Sequence, residues 1–392
     1  MTVRKNVLYV HYSDNWIRGS EMCLMHLIDS LDRNRFTPFL WTNCIPLARI
    51  YQNKKIETLY SEFTLLGGWD YPKFDCFGWL KLVRQAIKFI RVHNIDLVHV
   101  NSGAPCQWMC LAARLCGVPL VTQLHSDYQL RDRFTLGLHL SPHTICVSEA
   151  ISHGLLGDGY PKSKLSVIHN GVAEEFSTPI NIRDRLNIPL NRFVFISVGS
   201  LIVRKGYDLI IQALHHLSGT IDCHLVIIGE GEERSNLKAL VSKLNLTNRV
   251  HFVGEQHNVS DWLHSGVNAF ISGARDEAFG LAIAEAGLAK LPVIAPRVGG
   301  IPEFIEHYHS GLLFSHSNAI LDIAENMRKL ASSKTLQITL AENLYQHASN
   351  KLTVSANTNA IQAIYEDMCC EPSNHRVPVS NGFKPLLRWT FR

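Results

Sequence analysis

The sequence predicts an α/β protein made of two doubly wound, parallel-sheet domains of similar size. Three observations predict it. Short apolar runs alternate with stretches of helical periodicity, first from Val7 to Val147 and again from Phe193 to Phe314. That alternation implies parallel strands covered by helices on both faces. A polar stretch, Gly171 to Arg192, carries Pro179 and Pro189 and separates the two series as a linker. The 392 residues are enough for two or three cores.

Each element has its own justification. Val7-Leu-Tyr-Val10 is a compact apolar run, read as the first strand. It reads as too short for a signal peptide, because His11, Ser13, Asp14 and Asn15 follow at once. Glu21 to Leu31 carries Leu24, Leu27, Ile28 and Leu31 at helical spacing. Phe77 to His93 predicts a longer helix with Leu80, Val83, Ile87 and Ile90 on its inner face. Asp96 to Val100, Pro119 to Leu124 and Thr144 to Val147 are short strands. In the second half, strands are predicted at Phe193–Val198, Leu225–Ile228, Val250–Val253, Val267–Ile271, Pro292–Ala295 and Leu312–Phe314. Helices are predicted at Tyr207–Leu217, Glu233–Leu244 and Thr353–Met368. The tail from Cys370 to Arg392 holds Pro372, Pro378 and Pro385 and ends basic and apolar. It is read as solvated or packed back on the first domain, with contact to a membrane surface as the alternative.

Composition narrows the function. With 46% apolar and 18% charged residues, the chain is globular rather than disordered. Its 38 basic and 34 acidic residues leave a net charge of +4 and no long basic run, which argues against a nucleic-acid partner. No apolar window reaches ~18 residues, so no membrane-spanning helix is predicted. The ten cysteines form no Cys-x-x-Cys pair and read as reduced thiols. No His-Glu-x-x-His pattern points to a metal.

Five segments carry candidate chemistry. Gly199-Ser-Leu-Ile-Val-Arg-Lys-Gly206 lies between a strand end and a helix start, where Arg204 and Lys205 suit a diphosphate. The plain alternative is a solvated basic turn. Glu277-Ala-Phe-Gly-Leu-Ala-Ile-Ala-Glu285 places one carboxylate in a loop and one in the following helix. A carboxylate accepting from vicinal hydroxyls holds a sugar ring well. Arg297-Val-Gly-Gly-Ile-Pro-Glu303 puts paired glycines ahead of a helix opened by Pro302. His125 directly follows a strand, at the end where open α/β sheets bind ligands. Trp16-Ile-Arg-Gly-Ser-Glu21 offers Gly19 at a helix start, without a dinucleotide fingerprint. Gly229-Glu-Gly231 reads as a simple strand-to-helix turn.

Together these segments resemble the retaining glycosyltransferases of the GT-B fold, of the family-four-like type. The resemblance lies in order and spacing: Val198-Gly-Ser with Arg204-Lys-Gly206, Ile228-Gly-Glu-Gly231, Arg249 to Gly254, Glu277 to Glu285 as the Glu-x7-Glu motif, and Gly299-Gly-Ile-Pro-Glu303 with Gly311-Leu-Leu. The first half is similar through Gly19-Ser-Glu21, Asp96 to Val100, Leu124-His125, Val147-Ser148 and Val167 to Val172.

The resemblance implies two Rossmann-like domains facing across a cleft. The domains are an acceptor domain over 1–175, a donor domain over 176–352, and a helix and tail over 353–392 packing back on the first. It implies transfer of a hexose from a nucleotide-sugar, UDP- or GDP-linked, to a hydroxyl of a glycan or lipid-linked acceptor in bacterial surface polysaccharide synthesis. Lys205 and Arg204 would neutralise the diphosphate, Glu285 hold the ribose, and Glu277 hold donor-sugar hydroxyls beside the Phe279-Gly280-Leu281 backbone. The loop Gly254 to His257 would lie near the base. His125 and Gly19 would face the donor from the first domain, so the catalytic set is His125, Lys205 and Glu277. No metal or other cofactor is implied, since the cations neutralise the charge. The implied location is cytoplasmic, at the inner face of the membrane. Ser200 stands where the family often has Arg. Competing readings on the same fold are a phosphorylase, an epimerase, or a non-catalytic protein that binds a glycan or a partner.

Overall fold

The computed structural model describes residues 4–68, 74–174, 180–370 and 377–389. They divide into two compact units, Met1–Gly171 with Val354–Arg392, and Val172–Thr353.

The first unit holds seven parallel strands: β1 Lys5–His11, β2 Phe36–Thr42, β3 Thr58–Tyr60, β4 Leu97–Val100, β5 Leu120–Leu124, β6 His143–Cys146 and β7 Leu165–Val167. Their spatial order is β3-β2-β1-β4-β5-β6-β7. Val7, Leu8, Tyr9 and Val10 of β1 are fully buried, as a central strand covered on both faces requires. The helix Gly19–Asp29 packs Leu24, Leu27 and Ile28 onto β1 and β2 residues. The helix Val354–Cys370, reached only after the whole second unit, returns Ile361, Tyr365 and Met368 to this same core.

The second unit holds six parallel strands: β8 Phe193–Val198, β9 Cys223–Ile228, β10 Val250–Gly254, β11 Ala269–Ile271, β12 Val293–Pro296 and β13 Leu312–Phe314. Their order is β10-β9-β8-β11-β12-β13. Phe195, Ile210, Ile211, Leu225, Ile227 and Met327 anchor its core.

Several expectations change. The sequence reading passed over β2, where Pro38 interrupts the apolar run. The structure accepts Pro38 because β3 pairs only with Leu40 to Thr42, leaving the outer side of β2 without a strand at 38. The helix Cys76–Val92 buries Leu82, Val83, Ala86, Phe89 and Ile90, whereas Leu80 is exposed. The predicted inner face was therefore rotated.

The stretch 180–192 is not a free linker. It carries the short helix Ile182–Arg185, and Ile182 and Ile188 are buried in the second unit. Pro179 lies outside the described residues. Pro302 opens only a three-residue 3-10 turn, Ile301–Glu303. All ten cysteines are free; six are buried, while Cys76 and Cys370 are exposed.

In the tail, Val377 is buried and its carbonyl accepts from Arg114 Nη1 at 2.6 Å. Lys384 Nζ donates to Gly159 O at 2.9 Å, and the helix Lys384–Trp389 packs on the helix Leu130–Thr135 of the first unit. Pro372 and Arg392 lie outside the described residues. No helix among the described residues is long and apolar enough to cross a membrane.

Candidate functional site

In the second unit the strand order reverses between β8 and β11. A crevice outside the carboxyl ends of such strands is the usual ligand position in an open α/β sheet. The loops that follow β8 and β11 meet there. Lys205 Nζ lies 2.5 Å from Glu277 Oε2, with the side chains 23% and 15% exposed. This pair is sheltered yet reachable.

Backbone contacts fix the two loops against each other. Gly206 adopts φ +62°, and a Cβ there would lie 1.9 Å from Gly273 O. Only glycine allows the approach. Arg275 N donates to Arg204 O at 2.7 Å, and Arg204 Nη1 donates to Asp276 O at 2.9 Å. The Arg275 guanidinium grips Asp208 through two bonds of 2.8 and 2.7 Å. The Tyr207 hydroxyl donates to Gly199 O at 2.8 Å, holding the start of the first loop.

A third loop, after β12, closes on Glu277. Gly299 has φ +51°, and a Cβ there would sit 1.6 Å from Glu277 O. The paired glycines of the sequence reading therefore serve the backbone that carries Glu277. Gly280 precedes the helix Leu281–Leu288, and its carbonyl accepts from Ile283 N at 3.0 Å and Ala284 N at 3.1 Å, which leaves the N–H groups of Leu281 and Ala282 as the ones the helix start can offer. Phe279 is buried against Phe304, 5.1 Å between ring centroids. Glu285, half-buried, is the fifth residue of that helix.

Gly254 ends β10, and its carbonyl accepts from Gly229 N at 2.9 Å. The Gly229 turn thus holds the start of the loop that runs to His257. Ser200 is half-buried in the first loop. The arrangement offers two cations, a carboxylate acceptor and a helix start, all at the carboxyl edge of one sheet. That set suits a ligand with an anionic portion and neighbouring hydroxyls.

The first unit reverses its strand order between β1 and β4. Gly19 opens the helix after β1, and His125 follows β5. Between them lies a chain of buried polar groups. His125 Nε2 meets Asn101 Oδ1 at 3.0 Å. Asn101 Nδ2 reaches His11 Nδ1 at 3.1 Å, and His11 Nε2 meets Glu21 Oε1 at 2.7 Å. Glu21 Oε2 accepts from Arg18 N at 2.9 Å.

Burial by itself would raise the Glu21 carboxyl. The His11 ring and the Arg18 N–H outweigh it and bring the group down to about 2. Burial, with His11 nearby, lowers His125 to about 3, so its ring is neutral at pH 7.

His11 and Asn101 were missed because each is a single residue with no spacing signal. Their place was a usable clue. Asn101 follows β4 just as His125 follows β5. The Asp208–Arg275 pair, 67 apart in sequence, left no signal at all. Among the described residues, no group of three His, Cys, Asp or Glu is placed to hold a metal ion.

Comparison with known proteins adds to this geometry. Residues 17–176 match the family described as Glycosyltransferase Family 4, and residues 180–350 match Glycosyl transferases group 1. The N-acetyl-alpha-D-glucosaminyl L-malate synthase of Bacillus anthracis is 24% identical over 360 residues, covering 87% of this chain and 89% of its own. The lipopolysaccharide core biosynthesis glycosyltransferase LpsE of Rhizobium meliloti is 27% identical, over 55% of this chain and 62% of its own. HepE of Anabaena, solved in complex with UDP, superimposes with a TM-score of 0.79 at 21% identity, over 92% of this chain and all of its own (100%).

Proposed function

Since the chain belongs to the GT-B glycosyltransferases of the family-four-like type, we propose that it transfers a hexose from a nucleotide-sugar, with retention, to a hydroxyl of a glycan or lipid-linked acceptor. The observation that carries this reading is the Lys205–Glu277 pair at the strand-order reversal of the second unit. HepE has been solved with UDP and with UDP-glucose, which puts uridine nucleotides first as donors, ahead of guanosine nucleotides.

The residues take these roles. Charge builds on the diphosphate as the sugar departs, and Lys205 with Arg204 neutralises it. Glu277 accepts from donor-sugar hydroxyls and keeps Lys205 in place before the donor arrives. Glu285 holds the ribose. The Phe279-Gly280-Leu281 backbone meets the sugar, and the loop Gly254 to His257 lies by the base. His125, neutral and held by Asn101, serves as a hydrogen-bond partner for a sugar hydroxyl, and Gly19 lets a helix start face the donor.

The bond from the anomeric carbon to the diphosphate oxygen breaks, and the acceptor oxygen bonds on the same face. The acceptor proton goes to the departing phosphate oxygen. No carboxylate pair flanking the bond is required, unlike glycoside hydrolysis. No metal is required either. The proposed location is the cytoplasm, at the inner membrane face.

A thermal-shift panel with UDP, GDP, ADP and their sugar conjugates tests the donor site. A ligand at ~100 times its Kd raises stability by about 2.7 kcal/mol. A shift with one nucleotide family that disappears in Glu285→Ala supports the reading. No shift with any nucleotide removes it. An inverted product, or activity lost with EDTA and restored by a metal, removes the retaining, metal-free form.

A further inference from the structure

The helix Cys76–Val92 of the first unit carries a second feature, separate from the donor site. Its inner face is fully used, with Leu82, Val83, Ala86, Phe89 and Ile90 packed inward. Its outer face is unusual in charge. Lys81, Arg84, Lys88 and Arg91 are all exposed, and the 17 residues of the helix contain no Asp or Glu. At 100° per residue, Phe77 and these four cations fall within an arc of about 80°. None of the four makes an ion pair among the described residues. The nearest carboxylate at the helix start, Asp75, accepts from Gly78 N at 2.8 Å as the N-cap.

Apolar groups stand at one end of the stripe. Phe77 is 88% exposed, and Phe74, just before the helix, is 76% exposed. A solvated helix face ordinarily mixes both signs of charge and carries few exposed aromatics. Here unpaired cations and bare phenyl rings share one face.

We propose that this face docks the protein on an anionic lipid bilayer. The four cations meet the headgroup charge, and Phe74 and Phe77 enter the boundary between headgroups and acyl chains. A nucleic acid fits less well. The arc carries no amide or hydroxyl side chain to meet bases or sugars, and phenyl rings at one end of a cationic stripe match the depth profile of a membrane surface. The charge match and the exposed rings carry this surface without any role for the C-terminal tail.

Vesicle sedimentation tests it on the full chain. Vesicles of phosphatidylglycerol and phosphatidylcholine should carry the protein down at low salt; pure phosphatidylcholine should not. Each cation removed should weaken partitioning roughly fivefold, so Lys81→Glu/Arg84→Glu/Lys88→Glu should weaken it at least about a hundredfold. Phe74→Ser/Phe77→Ser should weaken it about tenfold at constant charge. Both variants change exposed positions, and an unchanged melting temperature shows that each remains folded.

Failure of the wild type to sediment with anionic vesicles overturns the proposal. So does binding that the charge-reversed variant retains. A duplex oligonucleotide bound as tightly as the vesicles, with no effect of the two Phe substitutions, assigns the face to polyanions in general and removes the bilayer. None of these outcomes bears on nucleotide binding by the second unit.

Discussion

The two units share a topology and treat charge in opposite ways. Each has its strand order reversed at a central pair, β1 and β4 in one, β8 and β11 in the other. At that point the second unit sets a partly exposed Lys205–Glu277 pair on loops pinned by backbone contacts. The first unit instead buries His11, Glu21 and Asn101 and lets only His125 reach the surface. Charges that must meet a ligand are left accessible, with the backbone supplying rigidity. Charges that only orient another side chain are buried and satisfied among themselves, since an unpaired buried charge is costly. One topology therefore supports a receiving surface and an internally closed network, and the difference lies in side chains a few residues past the strand ends.

The sharpest way to break this contrast is at Lys205. Lys205→Ala should lower kcat/KM by about 10²–10³, comparable to loss of one oxyanion-type donor, with little change in stability. Steady-state kinetics beside a urea melt separates the two effects. A fall in stability with unchanged kinetics would make the pair structural.

Gly299→Ala tests the backbone half of the argument. The added Cβ meets Glu277 O at 1.6 Å, so the loop must move. A loss of about 3 kcal/mol is expected, together with donor binding. It would be read from the urea midpoint and from the nucleotide thermal shift.

Acidification should separate the units next. Burial lowers His99 and His125 from 6.5 to about 3, and His139 to about 4. All three lie in the first unit; in the second, burial lowers His251 to about 4 and shifts His224 and His307 the same way, so that unit also loses stability on acidification, but by less. Below about pH 6.5 the unfolded chain takes up protons that these folded rings refuse. Stability is therefore lost as pH falls from 6.5 towards 4, by up to about 1.4 kcal/mol per pH unit for each ring. Glu21 adds a lower window. Its stabilising effect is complete above its ordinary 4.5 and is lost as pH falls towards about 2. Hydrogen exchange at pH 7 and pH 5, resolved by segment, should show protection falling faster around β1, β4 and β5 than around β8 and β11. Equal loss in both units would contradict the buried-network account.

The smallest expected effect is at Arg275. Its guanidinium holds Asp208 through two bonds, but both side chains are 36% exposed. Arg275→Ala should cost about 1 kcal/mol and raise the donor KM a few-fold, because water screens the pair. A much larger loss would mean that the loop after β11 depends on this pair rather than on the Gly206–Gly273 contact.

Much of this was legible in the chain, and the gaps have physical causes. Local pattern determined the strands whose neighbours bury them on both faces. Val7 to Val10 and Phe193 to Val198 read as continuous apolar runs for that reason. The order of Gly199 to Gly206, Glu277 to Glu285 and Gly299 to Glu303, each following a strand, carried the resemblance to the family. Local pattern did not determine β2, where Pro38 is acceptable only because β3 is too short to reach it. Nor did it determine that Glu277 pairs with Lys205, that Gly299 exists to let Glu277 O approach, or that Asn101 joins His11 to His125. Those partners lie 72, 22 and 24 to 90 residues apart. Apolar periodicity reports which face of an element meets the core. It carries no record of which loop end meets which, and only the folded sheets, by ordering their strands, decided that.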